Sequence, residues 1–167
     1  VYGRRWLEHE GAWTALASKV VPFPTVRAVL AAVDAGRVDA GIVYAISRKE
    51  VERIDAALRR AGARSVAYHA GLDPEVRRRA QEAFANEEVD VVVATVAFGM
   101  GIDRTDVRFV LHAALPKGLE QYSQETGRAG RDGLPAECVL FHSGADFFSW
   151  KSLIERSHEE ARAAGES

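Results

Sequence analysis

Val89-Asp90-Val91-Val92-Val93-Ala94-Thr95 is a near-continuous apolar run of strand-forming residues. A strand with one wet face alternates apolar and polar side chains, whereas a strand covered on both faces does not. The run therefore predicts an inner strand of a sheet with helices packed on either side. Moving outward, short apolar runs and segments of helical period alternate. Gly41 to Ile46 reads as a second buried strand. Ser47-Arg48-Lys49-Glu50 has capping-box spacing and opens a helix to about Arg60, closed by Gly62, with Val51, Ile54 and Leu58 as its inner stripe. Ser65 to Tyr68 is a short strand. Asp73-Pro74 then supplies an N-cap and a first-turn proline to a helix whose apolar face is Val76, Ala80, Ala83 and Phe84.

Further along, Val107 to Ala113 and Ala136 to His142 predict two more strands, separated by a short helix over Leu119 to Gly127. Val26, Val29, Leu30 and Val33 predict an upstream helix that stops near Gly36, and Phe147 to Arg156 predicts a closing helix with Phe148, Leu153 and Ile154 available for packing. Strand–helix alternation means parallel strands joined by crossovers. The fold class is α/β, an open, mostly parallel sheet with helices on both faces. Residues 1–22, with Trp6 and Trp13, read as a divergent N-terminal segment, 23–157 as the domain proper, and 158–167 as a polar frayed tail.

With 167 residues, 47% hydrophobic and 28% charged, the chain is long enough for a real core and is not disordered in composition. A net charge of −2 argues against binding nucleic acid through bulk charge. Arg77-Arg78-Arg79 and Arg59-Arg60 read as solvated helix faces. Cys138 lies in an apolar run and is the single cysteine, so it is a core residue that excludes an internal disulfide or a multi-cysteine zinc cluster. No apolar run reaches membrane length and no signal-peptide pattern opens the chain, which favours the cytoplasm, with nucleoid association in a bacterial source. Val1 opens the chain and Met100 is its one methionine, so a longer product is expected.

The densest chemistry is Gln124-Glu125-Thr126-Gly127-Arg128-Ala129-Gly130-Arg131-Asp132-Gly133. Each guanidinium is a permanent planar cation that matches phosphate oxygens, and the glycines let backbone pass close to a ligand. A chance Arg-x-x-Arg is mostly a solvated turn; the surrounding blocks argue otherwise. Gly41-Ile42-Val43-Tyr44-Ala45-Ile46-Ser47-Arg48, Tyr68-His69-Ala70-Gly71-Leu72, Ala94-Thr95-Val96-Ala97-Phe98-Gly99-Met100-Gly101-Ile102-Asp103 and the Gln124–Gly133 block follow in order. Together they resemble motifs IV, IVa, V and VI in the second motor lobe of RecQ-family DNA helicases, a RecA-like domain. The resemblance covers about residues 25 to 157. DEAD-box RNA helicases would be expected to show an Ala-Arg-Gly-Leu-Asp string and a His-Arg opening instead.

The resemblance implies that Arg131 is an arginine finger for ATP hydrolysis, with Arg128 its companion at the nucleotide phosphates and Gln124 orienting the neighbouring groups. It places Asp103 and Gly101 on the nucleotide side. Ser47, Arg48, His69, Gly71, Thr95, Phe98 and Gly99 fall to the nucleic-acid track, where hydroxyls and backbone N–H groups bond phosphates without reading sequence. His112 has nothing to set it above a structural histidine. No Gly-x-x-x-x-Gly-Lys-Ser/Thr loop and no Asp-Glu-x-His string occur in the chain. ATP with Mg2+ is therefore expected to bind mainly on a first RecA-like lobe, with no metal or zinc site in this chain, which alone is expected to be inactive. The implied whole is an ATP-dependent helicase of 3′ to 5′ polarity acting on single-stranded or forked DNA in recombination and repair. Two alternatives stand beside it: a non-catalytic nucleic-acid-binding or adaptor lobe, and the lobe of a related superfamily 2 RNA helicase or translocase.

Overall fold

A computed structural model describes residues 20–22, 40–96, 98 and 104–142. The described residues form β1 (Val20–Pro22), β2 (Gly41–Tyr44), α1 (Arg48–Arg60), β3 (Ser65–Tyr68), α2 (Pro74–Ala85), β4 (Val91–Ala94), β5 (Phe109–His112), α3 (Leu119–Thr126) and β6 (Glu137–His142). Their strands make one six-stranded sheet in the order β1-β6-β5-β2-β4-β3. Every strand pair among them is parallel. The predicted helices near 26–33 and 147–156 and the tail lie outside the described residues, as do Gly99, Gly101 and Asp103.

The run that predicted an inner strand is one: all four residues of β4 are buried, between β2 and β3. Its polar exception, Asp90, is also buried and is taken by Arg64 through two hydrogen bonds of 2.9 and 2.5 Å. One sheet face carries Val43, Val91, Val93 and Leu111 against Val51, Ile54 and Leu58 of α1. The opposite face carries Ile42, Val92 and Val110 against Ala80 and Phe84 of α2. Fully burying a side chain as large as Phe84 contributes about 1.5–3 kcal/mol. From β2 to β3 the chain travels one way along the sheet, and from β3 to β4 and β5 to β6 it travels the other way. A single handedness of crossover then requires α1 on one face and α2 with α3 on the other, which is the arrangement found.

Local details depart from the sequence expectation in four places. Strands β2, β4 and β5 are shorter than their apolar runs, because the flanking residues turn into loops. The capping box is half formed: Ser47 Oγ accepts from the Glu50 N–H at 3.2 Å, but the Glu50 carboxylate goes to Arg53 instead of reaching back. Val76, assigned to the inner face of α2, is 47% exposed, and the buried face of the helix is carried by Ala80 and Phe84. Finally, Val20–Pro22 extends the sheet as an edge strand beside β6, where no strand was expected. No helix among the described residues is long and apolar enough to cross a membrane.

Candidate functional site

Strands β2, β4 and β3 are neighbours, so the loops at their carboxyl ends form one rim, where ligands lie in open α/β sheets. Ser47, Arg48, His69, Gly71 and Thr95 are brought together there. Arg48 lies directly across Gly71: a Cβ on that glycine would fall 2.7 Å from Arg48 Nη1 and 2.9 Å from its Cδ. The glycine is what lets the guanidinium settle over the second loop. His69 is buried, with Nε2 3.3 Å from Glu52 Oε1 but outside hydrogen-bond geometry, and neither ring nitrogen has a hydrogen-bond partner among the described residues. Thr95 is half-buried and bonded through its N–H to Tyr68 O at 3.2 Å. Phe98 is 1% exposed, packed edge-on against Tyr68 and Phe84. Its ring is core, so any contact from Phe98 to a nucleic acid falls to its backbone.

The arginines lie beyond α3, in the loop that leads to β6. Gln124 is exposed on α3, Arg128 is half-buried just beyond the helix, and Arg131 is exposed, its Nε donating to Gly127 O at 3.2 Å. The loop that carries them is tied down on the approach to β5. Gly130 N–H donates to Val107 O at 2.9 Å and Asp132 N–H to Thr105 O at 3.3 Å. Arg108 takes both carboxylate oxygens of Asp132 at 2.6 Å while also donating to Asp106 O and Pro135 O at 3.0 Å. That fork holds the Asp132 carboxyl below the ordinary carboxylate range. Asp106 is likewise depressed by Arg104, whose guanidinium also lies 4.7 Å over the Phe84 ring and donates to Phe84 O. Arg131 thus sits between two residues fixed to the segment that leads into β5.

Under α3, at the carboxyl end of β5, is a buried polar cluster that sequence reasoning missed. His112 Nε2 is 2.7 Å from Glu125 Oε2, and Gln121 donates to Glu125 Oε1 at 2.9 Å. The His112 ring stacks on Tyr44 at 5.3 Å and meets Tyr122 at 5.0 Å. Tyr44 Oη donates to Phe98 O at 3.3 Å. Burial pushes the Tyr44 hydroxyl far above its ordinary pKa; the Arg128 charge opposes this, Glu125 adds to it, and a hydrogen bond with Arg128 and the Arg131 charge pull the other way. The hydroxyl stays protonated at any physiological pH. The available signal was the position of Glu125, three residues after Tyr122 on the inner side of α3.

Three of the five arginines in the basic runs are paired with carboxylates of their own helices. Arg78 bonds Glu75 and Glu82, Arg79 bonds Glu75, and Arg59 lies 3.9 Å from Asp55. No group of three His, Cys, Asp or Glu side chains among the described residues is gathered to hold a metal ion.

Comparison with known proteins identifies the family of this sheet. Residues 24–133 match the helicase conserved C-terminal domain. This chain belongs to that family, as a C-terminal lobe of the RecQ type. It is 55% identical over 125 residues to the ATP-dependent DNA helicase RecQ of Bacillus subtilis, covering 74% of this chain and 21% of that protein. The Haemophilus influenzae helicase of the same name is 52% identical over 124 residues, 73% of this chain and 20% of its own. The RecQ-type lobe therefore spans about a fifth of these relatives. In fold it is similar to the Escherichia coli DEAD-box protein SrmB, with a TM-score of 0.67 at 20% identity over 77% of this chain and 78% of that one. Mycobacterium smegmatis Lhr, solved with ssDNA and AMP-PNP, is similar at TM-score 0.60 and 25% identity over 74% of this chain and 19% of that one.

Proposed function

We propose that this RecQ-type lobe is the second half of an ATP-driven DNA helicase motor, with 3′ to 5′ polarity and a role in recombination and repair. The observation that carries the reading is the fixed arginine loop, with Arg131 exposed between Gly130, bonded to Val107, and Asp132, clamped by Arg108. A finger must meet the phosphate without first being ordered, and a pre-set loop provides that. ATP is the substrate, held with Mg2+ mainly by a first lobe that supplies the phosphate loop. Arg131 and Arg128 then reach the phosphates across the cleft, with Gln124 orienting them and Asp103 and Gly101 on the same side.

The rim of Ser47, Arg48, His69, Gly71 and Thr95, with the backbone of Phe98 and Gly99, grips one DNA strand through its phosphates. Arg48 supplies the charge; Ser47 keeps a hydroxyl proton to donate while its oxygen caps α1. Closure of the two lobes on ATP and their release after hydrolysis advance the strand. The site of action is the cytoplasm.

The test is ATP hydrolysis stimulated by single-stranded DNA, measured for this chain alone and mixed with a separately prepared RecQ first lobe. Silence alone and Arg131-dependent turnover on mixing support the split motor. Turnover by the chain alone overturns it, because a nucleotide site would then exist without a phosphate loop.

A further inference from the structure

Two functional regions of this lobe, the loop after β4 and the loop after α3, meet at one side chain. Tyr44 ends β2, between them. Its Oη donates to Phe98 O at 3.3 Å, and the Arg128 guanidinium lies close enough to act on the same hydroxyl as a cation and a donor. The Tyr44 ring is 4% exposed and stacks at 23° on His112, which is itself fixed by Glu125 at 2.7 Å. Glu125 O accepts from the Arg128 N–H at 3.3 Å, so the helix end and the hydroxyl constrain the same arginine. A hydroxyl whose ring cannot move passes a displacement of one partner to the other, because shifting Phe98 O changes where its proton points and hence where Arg128 is best held.

We propose that the Tyr44 hydroxyl is a positioning group that couples strand binding at the loop after β4 to the placement of Arg128. The inference rests on the motor reading above and adds the route by which DNA on the rim reports to the nucleotide side. Tyr44 touches neither strand nor nucleotide; it acts through Phe98 and Arg128. Such a device sets the ratio of DNA-stimulated to unstimulated ATP turnover, and it leaves the affinity for the strand to the rim residues.

The experiment uses the full-length protein that carries this chain, with Tyr44→Phe as the variant. ATP turnover is measured with and without a single-stranded oligonucleotide, and oligonucleotide affinity by fluorescence anisotropy. The stimulation ratio is expected to fall about fivefold, in the range by which single residues alter coupling between sites, with the oligonucleotide Kd unchanged. Tyr44→para-aminophenylalanine restores a donor to Phe98 O but no good acceptor for the all-donor Arg128 guanidinium, and is expected to leave the ratio low. An unchanged ratio in Tyr44→Phe overturns the coupling role. So does full recovery in Tyr44→para-aminophenylalanine, which would show that the bond to Arg128 is not used, and so does loss of cooperative unfolding in Tyr44→Phe. Absence of DNA stimulation in the unsubstituted protein removes the motor reading itself and this inference with it.

Discussion

His112 Nε2 and Glu125 Oε2 lie 2.7 Å apart with both side chains buried, joining the end of β5 to the helix that leads into the arginine loop. His112 Nδ1 has no hydrogen-bond partner among the described residues, so the ring proton is assigned to Nε2, where Glu125 accepts it. Gln121 satisfies the other carboxylate oxygen. Glu125→Ala leaves a buried imidazole and a carboxamide without their acceptor. Breaking a buried pair from one side is expected to cost about 3 kcal/mol. Glu125→Gln, which keeps an acceptor oxygen, is expected to lose less. Urea unfolding of the two variants checks the order, and equal stability would remove the pair's structural role.

The Arg108–Asp132 clamp makes a prediction about acid. The folded Asp132 carboxyl titrates below its unfolded value, chiefly through its hydrogen bonds to Arg108. A depressed carboxyl contributes stability that is complete above the unfolded pKa, about 3.9. That contribution is lost as pH falls through the folded pKa. Glu75, held at about 2 by Arg78 and Arg79, behaves in the same sense. Asp132→Asn should therefore be less stable than the native chain at pH 7, with the gap closing as pH falls below 4. A gap independent of pH would mean that the carboxylate charge contributes nothing.

How much of this was readable in advance divides by distance along the chain. The β4 run and the Val51, Ile54, Leu58 stripe were legible because burial there is written in local period. The position of the arginine loop between α3 and β6 was legible from the strand–helix alternation. The Tyr44–Phe98 bond was not, since 54 residues separate partners that only the β2–β4 pairing brings together. His112 and Glu125 look individually like a strand histidine and one of many glutamates, and become informative only when α3 folds back over β5. Phe98 shows the reverse: its motif position did not tell that the apolar ring goes to the core, which leaves its backbone for the contact expected there.

Two motif glycines should respond differently to alanine. Gly130 has φ +63°, and a Cβ there would fall 2.8 Å from Leu134 O, a backbone atom that cannot swing aside. Gly130→Ala is expected to cost at least about 1–2 kcal/mol from the left-handed conformation alone and to lower ATP turnover by displacing Arg131. At Gly71 the clash is with the flexible end of Arg48. Gly71→Ala should leave stability nearly unchanged and weaken single-strand binding by displacing that guanidinium. Thermal unfolding and anisotropy on both variants separate the cases, and the reverse pattern would reject both assignments.

Arg131 carries the strongest prediction. Its backbone neighbours are anchored, Gly130 to Val107 and Asp132 to Thr105 and Arg108, so removing the side chain leaves those ties in place while giving up the exposed bond from Nε to Gly127 O. Arg131→Ala in the full-length protein should therefore unfold at the native temperature and bind ATP. Its turnover should fall by about three to five orders of magnitude, the contribution of an arginine finger to phosphoryl transfer. Arg131→Lys should recover little, because a point charge on a flexible stem does not reproduce a planar fork. A variant that folds, binds ATP and turns over at near-native rate would transfer the finger role to Arg128. There Arg128→Ala would show the loss instead, and the half-buried guanidinium beside Tyr44 would be the one that meets the phosphate.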